Sequence, residues 1–180
     1  MNEVLLVGKG GQLGFELMRT CPEDFGLIAL TEKELDVTCK DAVVDMVKSI
    51  SPEIIINCAA YTAVDKAESE TEKAFAVNAT GSANLARAAD ETDALLIHVS
   101  TDFVFDGGAG VPYVPEAETN PLSVYGKSKL AGEREIQSIG CESIIVRTSW
   151  LYRSFGNNFV KTMLKLMAER ETLGVVADQI

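Results

Sequence analysis

Five short apolar runs, separated by stretches whose apolar residues recur at helical spacing, constrain this chain more than anything else in it. Residues 4–7, 27–30, 54–58, 95–100 and 143–147 are too short for helices. They also lack the alternation of a sheet with one wet face, so each is read as a strand buried on both faces. Between the second and third runs, Val43, Met46, Val47 and Ile50 share a helical face, and Thr38 with Asp41 reads as a capping box. Residues 71–90 are rich in Ala and favour helix, as do 124–138. A last helix is expected over 158–170, and 173–177 reads as a strand opening a further unit. Strands alternating with helices predict an α/β fold: a Rossmann-like, doubly wound parallel sheet with helices on both faces. The one long loop is 106–121, and loops of that length inside compact domains are often functional.

Composition narrows the partners. With 47% hydrophobic residues over 180 positions, the chain can bury the core of one domain. The formal net charge of -11 and a pI near 4.5 argue against nucleic acid as partner, because phosphate contacts need clustered Lys and Arg. A phosphate-bearing ligand would have to be held by a local device such as a helix N-terminus. Cys21, Cys39, Cys58 and Cys141 are scattered with no CxxC pair, so no metal site is expected and a reduced, cytoplasmic protein is. The N-terminus lacks the pattern of a signal peptide, and no apolar run approaches membrane-spanning length.

The local device is present where the first strand should turn into the first helix. Gly8, Gly11 and Gly14 form GxxGxxG, and an unobstructed backbone there lets a pyrophosphate reach free N–H groups. The spacing departs from GxGxxG, since Leu13 stands at the third glycine's place, and the extra Gly10 leaves the register ambiguous. At the end of the second strand an acidic residue would bond the adenosine ribose and favour NADH. Thr31 stands there, followed by Glu32 and Lys33. The neutral Thr beside a Lys leaves room for a 2′-phosphate and favours NADPH, while Glu32 works against it.

Tyr125 and Lys129, four residues apart in an expected helix, share one face. A nearby ammonium stabilises a phenolate and brings the phenol toward a useful working range. The pair alone says little, because a YxxxK occurs by chance in roughly one chain in three of this length. Thr101 strengthens it, since it ends an apolar strand and would face the same crevice at the carboxyl ends of the strands. Taken alone, Thr101 is an ordinary strand-end cap. His98, the single histidine, lies inside the expected strand and is read as a packed side chain with no catalytic role.

Five strings carry a resemblance across essentially the whole chain: GKGGQLG from Gly8, NCAAYTAVDKAE from Asn57, STDFVFDG from Ser100, PLSVYGKSKLAGE from Pro121 and RTSWLY from Arg147. They are similar to the extended short-chain dehydrogenase/reductases, and within these to the dTDP-4-dehydrorhamnose reductase family. The resemblance implies reduction of the keto group of a dTDP-linked deoxysugar by NADPH or NADH. It implies that Gly8, Gly11, Gln12 and Leu13 line the pyrophosphate and that Asp36 and Val37 hold the adenine. Ala60, Tyr61 and Thr62 would border ribose and phosphates. Thr101 and Tyr125 would contact the sugar carbonyl, with Tyr125 as proton donor. Lys129 would bond the nicotinamide ribose, and Asp102 and Trp150 would touch the sugar. A homodimer is compatible with it. Two departures stand out, Phe103 in place of a Tyr and Arg153 in place of a Gly. Family members carry a C-terminal region that forms much of the sugar pocket, so residues 1–180 are expected to be a dinucleotide-binding domain from a truncated chain.

Two other readings remain open. A nucleotide-sugar epimerase would share Tyr125 and Lys129, whereas a dehydratase would place an acid where Phe103 stands. A noncatalytic regulatory subunit that keeps a dinucleotide site would have no use for Tyr125 and Lys129 together.

Overall fold

The computed structural model describes residues 2–153, 156 and 158–175. Five strands form one parallel sheet: β1 (Asn2–Val7), β2 (Phe25–Leu30), β3 (Ile54–Asn57), β4 (Leu95–Thr101) and β5 (Ser143–Thr148), in the order β2-β1-β3-β4-β5. The chain steps outward from β1 to β2 and then returns to β1's other side as β3. Val4–Val7 therefore pair with Leu27–Leu30 on one side and with Ile54–Asn57 on the other. That reversal leaves a crevice beyond the carboxyl ends of β1 and β3, where doubly wound sheets take their ligands.

The runs expected from the apolar pattern are all strands, extended by a residue or two, except that β3 stops at Asn57. The expectation that each is buried on both faces is corrected at the edges. No residue of β2 is fully buried, and on β5 Ile144 and Val146 are about half exposed. An edge strand has one neighbour only, so the same apolar composition is buried in the middle of the sheet and partly wet at its rim.

The helices are α1 (Gln12–Thr20), α2 (Lys40–Ile50), α3 (Val64–Ala67), α4 (Thr71–Phe75), α5 (Gly81–Glu91), α6 (Val124–Ile139) and α7 (Phe159–Glu169). Helices α2, α5 and α6 lie side by side over one face. Right-handed crossovers require this, because each carries the chain in the same direction across the sheet, while α1 runs the opposite way and takes the other face. The core fills the first layer: Leu5, Val7 and Ile55 of the sheet meet Val43 and Val47 of α2, Leu85 and Ala89 of α5, and Ile136 of α6. Each buried Leu, Ile or Val there contributes about 1.5–3 kcal/mol relative to exposure. The alanines of α5 bring it close enough to be covered on nearly all sides.

Three local expectations are revised. The capping box does not form: Cys39 is the N-cap of α2 without a side-chain bond, and Thr38 instead donates to Asp36 Oδ1 from both its amide (2.9 Å) and its hydroxyl (2.7 Å). The helix over 71–90 is interrupted by a π-helical turn at Ala76–Thr80. That turn aims Asn78 inward, where Nδ2 donates to Tyr61 O (3.1 Å) and Ser128 Oγ (2.9 Å) while Oδ1 accepts from Tyr61 N (2.8 Å). One amide thereby ties the loop after β3 to α6. The strand expected over 173–177 is not seen at Leu173–Val175, and Val176 and Ala177 lie outside the described residues. Among the described residues no helix is long and apolar enough to cross a membrane.

Candidate active site

The glycine turn follows β1 directly. Gly8 and Lys9 donate their amides to Leu30 O (2.9 and 3.0 Å), which straps the turn to the end of β2. Gly8 has φ +91, and a Cβ there would lie 2.6 Å from Ala59 N. A Cβ on Gly14 would lie 2.5 Å from Gly8 O, so the first turn of α1 packs onto the strand exit only because both residues lack side chains. Gly11 is the N-cap, and the first turn of any helix leaves amides without helical acceptors. Gln12 Oε1 is buried and unpartnered among the described residues.

At the end of β2 the structure adds a residue to the three considered from sequence. Glu34 turns back so that its carboxylate accepts from Thr31 N and Thr31 Oγ1 (both 2.7 Å) and pairs with Lys9 Nζ (2.9 Å). The Thr31 amide, the Lys9 ammonium and the Thr31 hydroxyl hold that carboxyl down to about 2. Asp36 is exposed and bonded to Thr38, and Val37 is buried in the core, its carbonyl accepting from Asn84 Nδ2 (2.9 Å).

Beyond β3 the chain crosses the crevice. Asn57 Oδ1 accepts from Ala59 N (3.0 Å), which bends the strand exit toward the glycine turn. Ala60 and Thr62 line the cleft, whereas Tyr61 turns away to donate its hydroxyl to Glu70 (2.9 Å). Burial pushes the Cys58 thiol up to about 11, which leaves it protonated and unreactive at neutral pH.

Strand β4 and helix α6 supply the remaining groups. Ser123 caps α6 by accepting from Gly126 N (3.0 Å), and the helical period then sets Tyr125, Lys129 and Glu133 along one face toward β4. Thr101 caps the short 3-10 turn Asp102–Val104 by accepting from Phe103 N (3.2 Å) and donates to Asp102 Oδ1 (3.0 Å). Burial raises the Tyr125 phenol, the Thr101 hydroxyl beside it lowers it in part, and the charge of Asp102 raises it again. Lys129 is 1% exposed, and its Nζ donates to Val99 O (2.7 Å) and lies 3.2 Å from His98 Nε2. Burial brings its pKa down to about 8, against the pull of Glu133 and Cys58. Glu133 is itself engaged, accepting from Ser100 Oγ and receiving the Arg147 guanidinium in a two-point pair (2.6 and 3.1 Å).

These groups border one cleft of about 540 Å³. Of the expected site residues, Gly11, Gln12, Leu13, Ala60, Thr62, Thr101, Asp102, Tyr125, Lys129 and Trp150 line it. Gly8, Asp36, Val37 and Tyr61 do not line it, and Gly10 and Gly14 of the same turn do. Trp150 holds a left-handed backbone (φ +54), is half exposed, and packs edge-on against Phe159. Arg153 also lines the cleft: its guanidinium stacks over Phe15, and its buried Nε and Nη1 have no hydrogen-bond partner among the described residues. A glycine-lined turn at a helix N-terminus, the unpartnered Gln12 acceptor and a guanidinium with two N–H groups unbonded among the described residues together suit a phosphate-bearing dinucleotide. A second hollow of about 660 Å³ lies under the 106–121 loop, beside Phe105, Tyr113 and Arg147, and shares Asp102, Thr148 and Ser149 with the first. No group of His, Cys, Asp and Glu suited to a metal occurs among the described residues.

Sequence reasoning gave no role to His98 and did not consider Asn57, Glu34 or the cleft-facing guanidinium of Arg153. The one available signal for His98 and Asn57 was that both are polar residues in otherwise apolar strands, which is costly unless they are bonded.

The whole chain, residues 1–180, matches the family model for the RmlD substrate binding domain. It is 48% identical over 182 residues to the dTDP-4-dehydrorhamnose reductase of Aggregatibacter actinomycetemcomitans, covering 100% of this chain and 62% of that protein. It is also 48% identical to the reductase of the same name from Escherichia coli K12, covering 98% and 60%. Among solved structures, a dTDP-4-dehydrorhamnose reductase from Bacillus anthracis in complex with NADP superposes with a TM-score of 0.92 at 43% identity, over 95% of this chain and 62% of that one. The chain thus spans about three fifths of the length of the relatives it matches. A Rossmann-like sheet, a glycine turn at its switch point and these matches lead to one assignment: the chain belongs to the RmlD substrate binding domain family, the family of the dTDP-4-dehydrorhamnose reductases.

Proposed function

We propose that this chain is the NAD(P)H-binding core of an enzyme that reduces the 4-keto group of dTDP-6-deoxy-L-lyxo-4-hexulose to dTDP-L-rhamnose. The observation that carries the reading is the convergence of the glycine turn, Thr101, Tyr125 and Lys129 on a single cleft. The names of the relatives and the NADP bound to the Bacillus anthracis enzyme support it. Residues 1–180 act as the dinucleotide-binding domain. Much of the sugar pocket comes from a region corresponding to the remainder of the relatives.

When bound, the dinucleotide supplies a hydride to C4 of the sugar. Gly11, Gln12 and Leu13 would line the pyrophosphate over the turn that Gly8 begins, and Arg153 would supply a cation from the cleft wall. Asp36 and Val37 would hold the adenine beyond the cleft wall, at the end of β2, and Ala60 and Thr62 would border the ribose and phosphates, while Tyr61, turned toward Glu70, would not. The Thr101 hydroxyl polarises the keto group. Tyr125, kept protonated by burial, gives its proton to the oxygen as C4 becomes tetrahedral. Lys129 would bond the nicotinamide ribose and tune the phenol, while Asp102 and the aromatic wall of Trp150 would seat the sugar. A cytoplasmic setting belongs to the same proposal and is supported by four free thiols. Dehydration is disfavoured because Phe103, after Asp102, has no proton to give a leaving hydroxyl.

The test is to follow consumption of NADPH or NADH by the whole protein with the dTDP-keto-sugar, beside Tyr125→Phe. Loss of the phenol is expected to lower kcat by about 10²–10⁴ with dinucleotide affinity unchanged. Equal rates in the two proteins would remove Tyr125 from the chemistry.

A further inference from the structure

Asn57 of β3, His98 of β4 and Lys129 of α6 form a chain of polar side chains, none more than 2% exposed. His98 Nδ1 lies 3.0 Å from Asn57 Nδ2, and His98 Nε2 lies 3.2 Å from Lys129 Nζ. A neutral imidazole offers one N–H and one lone pair, so it cannot accept at both ends. The Asn57 end decides which is which. The Ala59 amide donates to Asn57 Oδ1 (3.0 Å), and this turns Nδ2, which can only donate, toward the ring. Nδ1 must then accept, and the ring proton sits on Nε2, aimed at Lys129. An ammonium has no lone pair with which to receive it, whereas an amine can accept from Nε2 and still donate to Val99 O (2.7 Å).

We propose that Asn57 and His98 are positioning residues that bias Lys129 toward its free amine, because the Ala59–Asn57–His98 chain presents an N–H to the lysine and not a lone pair. Protonating Lys129 brings two donors together unless the ring proton moves to Nδ1 and the Asn57 amide turns over, which forfeits the Ala59 bond. Proton uptake at Lys129 is therefore coupled to the tautomer of His98. Burial acts in the same direction on the lysine and, with the neighbouring Lys129 charge, keeps the imidazole neutral. The other titratable groups facing this chain are Glu133 and Tyr125 on α6 and Cys58 after β3. Glu133 favours the ammonium but is taken up by Arg147 and Ser100, and burial holds both Cys58 and Tyr125 protonated. For the reaction, Lys129 keeps its charge beside Tyr125 at neutral pH, below its pKa of about 8, and the His98 tautomer sets how readily it gives that charge up.

That consequence rests on the reductase reading, but the tautomer does not. The His98 signal in a long-range ¹H–¹⁵N spectrum of the histidine rings is identified by its loss in His98→Gln. At pH ~9, above the lysine's pKa of about 8, the proton is expected on Nε2. A proton on Nδ1 would overturn the inference. In Asn57→Asp the carboxylate accepts from both Ala59 and the ring, which reverses the tautomer and gives the ammonium an acceptor. The titration midpoint of Lys129, read from its Cε resonance and identified with Lys129→Arg, should then rise by about one unit or more. An unmoved midpoint also overturns it. Neither readout uses substrate, so failure here leaves the reductase reading intact, and inactivity in the reductase assay leaves the tautomer intact.

Discussion

Gly8→Ala and Gly10→Ala are the same chemical change two residues apart, and the structure predicts opposite outcomes. At Gly8 two costs combine. The backbone holds φ +91, a region that L side chains avoid at about 1–2 kcal/mol. The added Cβ also meets Ala59 N at 2.6 Å and the Cys58 carbonyl carbon at 2.7 Å. These are backbone atoms just past β3, held by the bonds of Cys58 N to Val7 O and of Ala59 N to Asn57 Oδ1, so the overlap costs about 1–3 kcal/mol more. A total near 2–5 kcal/mol is a large part of the stability of a domain this size, where each kcal/mol moves Tm by about 2–4 °C. At Gly10 nothing lies within 4 Å of the position a methyl would take and φ is not positive, so alanine there is neutral or stabilises by about 0.4–1 kcal/mol through the unfolded chain. Urea unfolding followed by circular dichroism measures both variants, and dinucleotide titration measures what the displaced turn does to the cleft. If Gly10→Ala loses as much stability as Gly8→Ala, the reasoning from close approach is wrong.

Glu133→Ala should destabilise by about 3–5 kcal/mol, because it removes the carboxylate that Arg147 and Ser100 share and leaves a half-buried guanidinium unpaired; denaturant unfolding checks this, and a loss under about 1 kcal/mol refutes it. Lys129 binds its proton less tightly when folded (about 8) than when unfolded (10.5), so between those values the unfolded chain holds more protons and this group's contribution to stability rises with pH. The difference in unfolding free energy between wild type and Lys129→Met should accordingly climb by up to about 1.4 kcal/mol per pH unit above pH ~8 and be flat below it. Glu34→Gln removes the anion that Thr31 and Lys9 hold, so calorimetric titration should find NADPH affinity increased relative to NADH by about tenfold; an unchanged ratio would separate Glu34 from cofactor choice.

The features legible in the linear chain are local ones. The strand runs can be read because period and length are properties of a few consecutive residues. The glycine turn and the Tyr125–Lys129 face follow from a short backbone path and a helical repeat. Other residues take their meaning from partners far along the chain, and folding alone brings those partners together. Apolar runs did not distinguish the half-wet β5 from the buried β1, because strand order sets that difference. Nor did they reveal that Lys9 reaches Glu34 across 25 positions, or that His98 stands between Asn57 and Lys129, 41 and 31 positions away. Gly8 and Gly10 look alike as letters, and only the arrival of Ala59 from β3 makes one indispensable and leaves the other free. A side chain's proton and its permitted volume are set by the atoms that the crossovers bring to it, and a linear pattern carries no record of those distances.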